Sequence, residues 1–316
     1  MKPENKEKLI VLTGPTGVGK TALSVRLARD IGAEIISADS MQVYRRMDIG
    51  TAKIRKEEMR GVRHHLIDVL EPDEPFHVMR FQQMALRAID EIRGRGNIPM
   101  LVGGTGFYIQ AVLYGIDFTE TDEDDTIRRQ YEERVRNEGD VAIDALYEQL
   151  QIADPDAAEA IPKQNVKRVI RALEYYDKTG TPISAHNRRE REKESPYDFR
   201  YFVLTDDRER LYERVNARVD EMMEQGLPGE VRALLASGVT MDMTSMQGLG
   251  YREIARHLAG DFDRDEAVRR IKQNTRHFVK RQLTWFRRER DVILLDKRDY
   301  EYDEDRILEA IKKRLP

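Results

Sequence analysis

The 316-residue sequence contains no cysteine, a single tryptophan and no long apolar run. Without cysteine the chain can form neither disulfides nor the thiolate sites that hold zinc or iron–sulfur clusters. The apolar run at 9–12 follows a charged N-terminal segment and is far too short for a signal peptide or a membrane span. These absences predict a soluble cytoplasmic protein without a membrane partner.

A strong charge bias is also missing. The 54 Lys and Arg residues face 58 Asp and Glu residues, which gives a formal net charge of −4. Net charge therefore gives no reason to expect an acidic partner, although charges of each sign can still segregate on the surface. Apolar residues make up 40% of the chain, which is enough for a sizeable core within about two domains.

Short apolar runs alternate with helical patterns in the first part of the chain. Predicted strands cover residues 9–12, 33–37, 66–70 and 98–102, and predicted helices cover 21–31 and 76–92. Strands separated by helices are typical of an α/β fold in which helices flank a parallel sheet.

Strand character disappears between residues 119 and 194. An acidic run at 120–125 is followed by helical patterns at 127–138, 141–150 and 165–177, and 186–195 is predicted to be a solvated linker. Strands resume at 200–204 and 292–295. The sequence therefore predicts a core in two parts, 1–118 and 195–316, interrupted by an all-helical insertion domain at 119–194.

Residues 14–21 match the G-x-x-x-x-G-K-[ST] pattern of a phosphate-binding loop between a strand and a helix. The matching residues are Gly14, Pro15, Thr16, Gly17, Val18, Gly19, Lys20 and Thr21. The glycines let backbone N–H groups converge on phosphate oxygens, Lys20 adds a positive charge, and the Thr21 hydroxyl is placed to bind Mg²⁺. We predict a P-loop NTPase-like core that binds a diphosphate or triphosphate, with Mg²⁺ as the cofactor.

A further absence separates the chain from ordinary P-loop nucleotidases. Their Mg²⁺ is held in part by an Asp that ends an apolar strand. Here the candidate strand at 98–102 leads instead into Gly103-Gly104-Thr105-Gly106, and no arginine-rich lid for a second nucleotide is evident. The loop alone leaves open whether the ligand is a nucleotide or another diphosphate.

A predicted helix at 268–288 separates basic from apolar residues. At 100° per residue, Arg269, Arg276, Lys280 and Arg287 fall within about 40° of arc, and we call these four residues the basic rail. The opposite half carries Val268, Ile271, Phe278, Val279 and Phe286, and Trp285 projects near it. A solvated charged face would explain the rail, but the scarcity of nearby acidic residues favours contact with nucleic-acid phosphates.

Five segments, in order between residues 14 and 287, resemble motifs of the tRNA dimethylallyltransferases, also called tRNA isopentenyltransferases. They are the phosphate loop, DSMQVYRRMDIGTAK at 39–53, VGGTG at 102–106, GLGYR at 248–252 and KRQLTWFR at 280–287. The resemblance implies Mg²⁺-assisted transfer of a dimethylallyl group from dimethylallyl diphosphate to N6 of adenosine-37, next to the anticodon of tRNA, with release of diphosphate. Since the chain lacks cysteine and the zinc-finger extension of many eukaryotic relatives, we expect the bacterial form, and we expect a monomer.

The resemblance also implies roles for individual residues. Asp39, at the end of the second predicted strand, would be the general base, although an aspartate there could also cap a turn or support Mg²⁺. Arg218 would bind the diphosphate with Lys20 and the loop, and Arg214, one turn earlier, is the alternative. Thr105 is implied at the reaction centre, whereas a helix N-cap would be its ordinary structural role.

The residues implied to contact the tRNA anticodon stem-loop come from both parts of the chain. They are Asp39, Ser40, Met41, Gln42, Thr105, Arg128 (or its neighbour Arg129), Gln164, Asn165, Val166, Lys167, Arg168, Gln247, Gly248, Leu249, Gly250, Tyr251, Arg252, Lys280, Arg281, Gln282, Leu283, Thr284, Trp285, Phe286 and Arg287. Three other functions stay open on sequence grounds: a P-loop kinase or NTPase, an adenylate isopentenyltransferase acting on free AMP, and a non-catalytic RNA-binding module.

Overall fold

The computed structural model describes residues 6–118 and 125–315. The chain divides into two compact units, the first formed by Met1–Leu113 with Pro196–Pro316 and the second by Tyr114–Ser195. The second unit overlaps the segment predicted as an insertion. The predicted acidic run at 120–125 lies outside the described residues except for Asp125.

A six-stranded parallel sheet forms the centre of the first unit. Its strands are β1 (Glu7–Thr13), β2 (Ala33–Ala38), β3 (His64–His65), β4 (Ile98–Gly103), β5 (Tyr197–Thr205) and β6 (Val292–Asp296). They lie in the order β3-β2-β4-β1-β5-β6, and every neighbouring pair is parallel. The central residues of β1 are buried on both faces, as a parallel sheet covered by helices requires. The predicted α/β fold is confirmed.

The helices in the described part of the chain are numbered in chain order. They are α1 (Lys20–Ile31), α2 (Val78–Gly94), α3 (Gly106–Leu113), α4 (Thr126–Glu138), α5 (Asp140–Ala153), α6 (Pro155–Ala160), α7 (Val166–Thr179), α8 (Ile183–Glu192), α9 (Arg208–Glu224), α10 (Leu227–Ala236), α11 (Tyr251–Leu258), α12 (Arg264–Phe286) and α13 (Glu304–Lys312). Short 3₁₀ turns occupy Thr244–Gln247 and Lys297–Tyr300. None of these helices combines the length and apolar character needed to span a membrane.

The register of the central strands brings their carboxyl ends level with one another. Thr13 at the end of β1 lies opposite Gly103 of β4 and Val203 of β5, and Ala38 at the end of β2 lies opposite Gly103. The Thr13 hydroxyl also donates to the Gly103 carbonyl at 2.6 Å. The loops that follow these strands therefore share one edge of the sheet, where open α/β sheets bind their ligands.

The strand predicted at 66–70 is wrong, because β3 is limited to His64–His65. Leu66 and Asp68 have φ values of +62° and +54°, so the chain leaves the extended conformation as soon as the pairing ends. Leu70 keeps only an isolated bridge to Tyr44. An apolar run is therefore present, but its backbone belongs to a loop.

The second unit has helices α4 to α8 and no strand among its described residues. Its core is built from apolar side chains on α5, α6 and α7, among them Leu146, Leu150, Val169 and Leu173. The linker predicted at 186–195 is wrong as far as residue 192, which ends α8. Two features explain why this segment is helical. The Asp154 carboxylate accepts the Ala157 N–H at the start of α6 and the Ser184 N–H at the start of α8. The segment is also rich in arginine and glutamate, which are good helix formers.

Candidate diphosphate and RNA site

The phosphate loop turns from β1 into α1 around the side chain of Lys20. The Lys20 Nζ donates to the carbonyl oxygens of Gly14 and Pro15, both at 2.9 Å. Gly17 and Gly19 have φ values of +83° and +96°, a conformation that favours glycine. Loss of hydration lowers the pKa of Lys20 to about 8, an effect that Asp39 opposes and Arg218 strengthens. Lys20 therefore lies within electrostatic reach of both residues.

Asp39 directly follows β2 at the same edge of the sheet. Its Oδ1 accepts the backbone N–H groups of Met41 at 2.8 Å and Gln42 at 3.3 Å, which fixes the carboxylate in a tight turn. Its Oδ2 has no hydrogen-bond partner among the described residues. One oxygen thus has the structural role considered for this aspartate, and the other is available to accept a proton.

Two arginines on α9 lie one turn apart in different surroundings. Arg214 Nη1 lies 3.3 Å from Oδ2 of the buried Asp206, which follows β5. Arg218 makes neither a hydrogen bond nor an ion pair within residues 6–118 and 125–315. Burial lowers the pKa of the Arg218 guanidinium, and the negative charges of Asp39 and Glu221 oppose that shift. Arg218 is thus the arginine with free donors beside the Lys20 and Asp39 side chains.

Thr105 and Thr21 present hydroxyl groups near the same edge. The Thr105 backbone N–H donates to the Ala38 carbonyl at 3.3 Å, which ties the turn after β4 to the end of β2. No hydrogen bond joins the Thr105 hydroxyl to the first turn of α3 in the described structure, so the capping role considered for it is not observed. Thr21 is exposed in the first turn of α1, and its hydroxyl likewise has no partner among described residues.

The Asp39 turn packs against the segment at 247–252. A Cβ at Gly248 would lie 3.1 Å from Met41 Sδ, so the backbone of this segment approaches the Met41 side chain closely. The Gln42 Nε2 donates to the carbonyls of Thr51 at 3.3 Å and Ala52 at 3.5 Å, which holds its amide within its own loop. Its predicted contact with tRNA stays a prediction.

Only some of the predicted RNA-contacting residues in the segment at 247–252 are exposed to solvent. Gln247 and Arg252 are exposed, whereas Gly248, Gly250 and Tyr251 are buried and Leu249 is half-buried. The Tyr251 ring lies so close to Gly50 that a Cβ there would meet it at 2.4 Å. In this structure the tyrosine therefore supports the loop of the second motif.

Sequence reasoning missed Glu230, which organises that loop from α10. Its carboxylate accepts the backbone N–H groups of Asp48, Ile49 and Gly50 at 2.9, 2.9 and 3.2 Å. It also accepts the Tyr251 hydroxyl at 2.6 Å. Glutamate on a polar helix surface carries no signal of such a role, because its partners lie about 180 residues away in the chain.

Helix α12 includes most of the predicted helix at 268–288. The four residues of the basic rail differ in whether their side chains have a partner. Arg269 is paired with Glu266, and Arg276 Nη1 donates to Asn216 Oδ1 at 2.8 Å. Lys280 and Arg287 are exposed and have no ion-pair partner in the described part of the chain. Unpaired positive charge is therefore concentrated in the C-terminal half of the helix.

The buried side of α12 differs from the predicted apolar half at one informative position. The buried residues are Ala267, Ile271, Thr275, Val279, Gln282 and Phe286, whereas Val268 and Phe278 are only half-buried. Among the other predicted RNA-contacting residues of this segment, Arg281 and Thr284 are exposed and Leu283 and Trp285 are half-buried. A glutamine at an apolar helical spacing is the sequence signal that could have identified Gln282 as a buried polar contact.

In the second unit, Arg128 is bound to a buried carboxylate. Its Nε and Nη2 lie 3.0 and 2.8 Å from Oε2 of Glu174, which also binds Arg171 and Lys178. Its neighbour Arg129 is three-quarters exposed and pairs with Asp125. Gln164, Asn165, Lys167 and Arg168 are exposed at the start of α7, and Val166 is half-buried. Exposure thus favours Arg129 over Arg128 as the residue open to RNA.

Comparison with known proteins identifies relatives along the whole chain. The family model described as IPP transferase matches residues 42–289, and one described as isopentenyl transferase matches residues 7–71. A curated protein of Lachnoclostridium phytofermentans named tRNA dimethylallyltransferase is 55% identical, over 97% of each chain. A protein of the same name from Acetivibrio thermocellus is 44% identical, over 98% of this chain and 97% of its own.

Solved structures agree with these relatives. The tRNA isopentenylpyrophosphate transferase of Bacillus halodurans is 44% identical with a TM-score of 0.72, over 98% of this chain and 96% of its own. A eukaryotic dimethylallyltransferase, solved in snapshots of it acting on tRNA, is 31% identical with a TM-score of 0.77, over 92% of this chain and 74% of its own. With a family match across most of its length and curated relatives aligned nearly from end to end, the chain belongs to the IPP transferase family.

Proposed function

We propose that this chain transfers the dimethylallyl group of dimethylallyl diphosphate to N6 of adenosine-37, next to the anticodon of tRNA. Curated relatives named tRNA dimethylallyltransferase support a prenyltransferase that acts on tRNA. The observation that carries the proposal is the grouping of Lys20, Asp39 and Arg218, whose charges act on one another. Such a group supplies both a base for the acceptor and a clamp for the departing diphosphate.

Asp39 acts on the acceptor. The N6 amine of adenine is a poor nucleophile, because its lone pair is delocalised into the ring. As N6 bonds to C1 of the donor, its proton passes to Oδ2 of Asp39, while the turn amides hold Oδ1 in place. A positioned base of this kind contributes about 10²–10⁴-fold to the rate.

Lys20 and Arg218 act on the leaving group. The C1–O bond breaks as the new C–N bond forms, and the electron pair leaves with the diphosphate. The loop amides and both cations stabilise this growing charge. Lys20 exchanges the carbonyls of Gly14 and Pro15 for phosphate oxygens. The bound anion then raises the pKa of Lys20 and keeps the ammonium charged.

The Thr21 hydroxyl fits Mg²⁺ at the first turn of α1, since it is exposed and has no other hydrogen-bond partner among described residues. Mg²⁺ usually retains several waters and binds through substrate phosphates with few protein ligands. Residues 6–118 and 125–315 contain no cluster of three His, Asp or Glu side chains that could hold a metal without the substrate. When bound, the ion would neutralise part of the charge on the diphosphate.

Each unit carries exposed cations that can bind phosphates of the acceptor RNA. In the first unit these are Lys280, Arg281 and Arg287, and in the second they are Lys167 and Arg168, with Gln164 and Asn165 beside them. Contacts of this kind bind phosphates and fix register, while the reaction centre selects the base. The proposal takes the active form to be a cytoplasmic monomer, and light scattering of the RNA complex would test for one copy per stem-loop.

The decisive experiment is nucleoside mass spectrometry of an anticodon stem-loop incubated with the protein, Mg²⁺ and dimethylallyl diphosphate. We expect N6-(dimethylallyl)adenosine only when all components are present, and only when adenosine occupies the position after the anticodon. Faster prenylation of free AMP would identify an adenylate isopentenyltransferase instead. ATP hydrolysis without transfer would indicate a kinase or NTPase, and RNA binding without either reaction would indicate a binding module.

A further inference from the structure

Gln282 is the one glutamine on the buried side of α12, and it is only 5% exposed. Its Oε1 accepts the backbone N–H of Thr16 in the phosphate loop at 2.9 Å. Its Nε2 donates to the carbonyl of Gly104, after β4, at 2.9 Å. A single buried amide therefore joins the donor loop to the turn that carries Thr105. We call this contact the Gln282 bridge.

The two partners require an amide at this position. Thr16 offers a donor and Gly104 offers an acceptor, so the side chain must supply one acceptor and one donor. A carboxylate of the same length would face the Gly104 carbonyl with a second acceptor. Methionine has the length of glutamine but lacks both polar atoms. It would leave the N–H of Thr16 and the carbonyl of Gly104, two half-buried residues, without these hydrogen bonds.

The other side of the contact is equally restricted. A Cβ on Gly104 would lie 2.3 Å from the Gln282 Nε2, so only glycine permits this approach. One turn further along α12, the Trp285 indole lies so close to Gly106 that a Cβ there would meet its Nε1 at 2.1 Å. Helix α12 therefore contacts the turn at 104–106 at two successive points, and any shift of the helix moves that turn.

The bridge lies between the two binding surfaces of the proposed reaction. Lys280 and Arg281 on α12 and Arg287 directly after it are exposed, whereas Gln282 itself contacts the phosphate loop. We propose that Gln282 is a positioning residue that locks the phosphate loop and the Gly104 turn to α12, so that RNA bound on α12 and diphosphate bound in the loop strengthen each other's binding. This inference rests on the proposed function and adds the coupling between its two substrates.

The test measures binding of Mg²⁺-pyrophosphate by calorimetry, with and without a synthetic anticodon stem-loop. For the unmodified chain we expect the RNA to tighten pyrophosphate binding by about fivefold or more, within the usual range of coupling between sites. In Gln282→Met we expect pyrophosphate alone to bind about threefold to tenfold more weakly, the range for one or two lost hydrogen bonds. The RNA should then change that affinity by less than twofold.

Gln273→Met is the matched control, since Gln273 is exposed on the same helix. It should keep both the affinity and the coupling. Should Gln282→Met fail to fold, Gly104→Ala breaks the bridge from the other side and should give the same loss. Full coupling in a folded bridge variant, or no coupling in the unmodified chain, would overturn the inference. Product formation without coupling refutes this inference alone, whereas coupling without product refutes the proposed function alone.

Discussion

Tyr251 donates its hydroxyl to Glu230 at 2.6 Å from a position that is wholly buried. Burial raises the pKa of the Tyr251 phenol, and the negative charge of Glu230 raises it further. The same carboxylate accepts the amides of the loop at 48–50. A motif residue expected to touch RNA is therefore part of the support for the loop that follows Asp39.

Tyr251→Phe should lower the free energy of unfolding by about 1.5 kcal/mol, because a hydrogen bond to a charged group is lost while the ring still fills the space over Gly50. Urea denaturation measures this change. Affinity for the stem-loop should stay within about twofold. Tyr212→Phe, whose hydroxyl makes no hydrogen bond in the described structure, is the control. Normal stability with a large loss of RNA affinity would instead make Tyr251 an RNA contact.

Asp39→Asn should lower the single-turnover rate of prenyl transfer by about 10²–10⁴-fold, because the amide cannot accept the N6 proton. The side-chain oxygen of asparagine can still receive the amides of Met41 and Gln42, so the turn should persist. Quench-flow with labelled donor measures the rate, and filter binding should show unchanged affinity for RNA. A normal rate combined with poor RNA binding would assign Asp39 to RNA contact alone.

The affinity for Mg²⁺-pyrophosphate should depend on the protonation of Lys20. Below its pKa of about 8 the ammonium attracts the anion, and above that value the charged fraction falls. Affinity should therefore decrease as the pH rises from 8 and level off above the higher pKa of the complex. Calorimetry from pH 6.5 to 9.5 measures this decrease.

Lys20→Arg provides the control for this titration, since arginine stays charged throughout. Ionisation of pyrophosphate itself affects binding to both proteins equally. The ratio of the affinity of the unmodified chain to that of Lys20→Arg therefore reports the effect of Lys20 deprotonation alone. A ratio that does not change with pH would show that Lys20 keeps its charge above pH 9.

Arg218→Met should weaken pyrophosphate binding by about tenfold or more, because a charge-assisted contact with the anion is lost. Arg214→Met removes a guanidinium that is paired with Asp206. It should lower the melting temperature while leaving the pyrophosphate affinity within about threefold. Calorimetry and thermal melts of the two variants provide the comparison. The opposite pattern would identify Arg214 as the diphosphate clamp.

Lys280→Ala and Arg287→Ala should each reduce the salt dependence of stem-loop binding by about 0.7–0.9 log units per phosphate contact. Both residues are exposed and have no ion-pair partner within the described ranges. Lys272→Ala is the matched control, since Lys272 is paired with Asp220 on α9. Fluorescence titrations between 50 and 300 mM salt give the slopes. An unchanged slope for both variants would remove them from the RNA interface.

Local patterns predicted every strand of the sheet except β3, and they predicted helices α1, α2, α4, α5, α7 and α12. Two predictions failed where a distant contact or a backbone exception decides the conformation. The apolar run at 66–70 has strand composition, but the left-handed φ at Leu66 and Asp68 ends the pairing. The charged segment at 186–195 lacks an apolar stripe, yet the carboxylate of Asp154 caps α8 from 30 residues away.

The site shows the same division. The position of the phosphate loop after β1 and of Asp39 after β2 could be predicted, because an apolar strand precedes each of them in the sequence. The choice between Arg214 and Arg218 could not be made from the sequence, since it depends on which of them meets Asp206. The sequence also could not reveal that Glu174 binds Arg128, because their contact spans 46 residues.

The Gln282 bridge also limits when the phosphate loop can become fully supported during synthesis of the chain. Thr16 is separated from Gln282 by 266 residues. Strand β1 pairs with β4 and β5, so it cannot complete its pairing until β5 has been synthesised. A nascent chain therefore exposes its phosphate loop long before the residues that brace it have been synthesised. The Thr16 contact of the Gln282 bridge can therefore form only after the chain has been synthesised as far as α12.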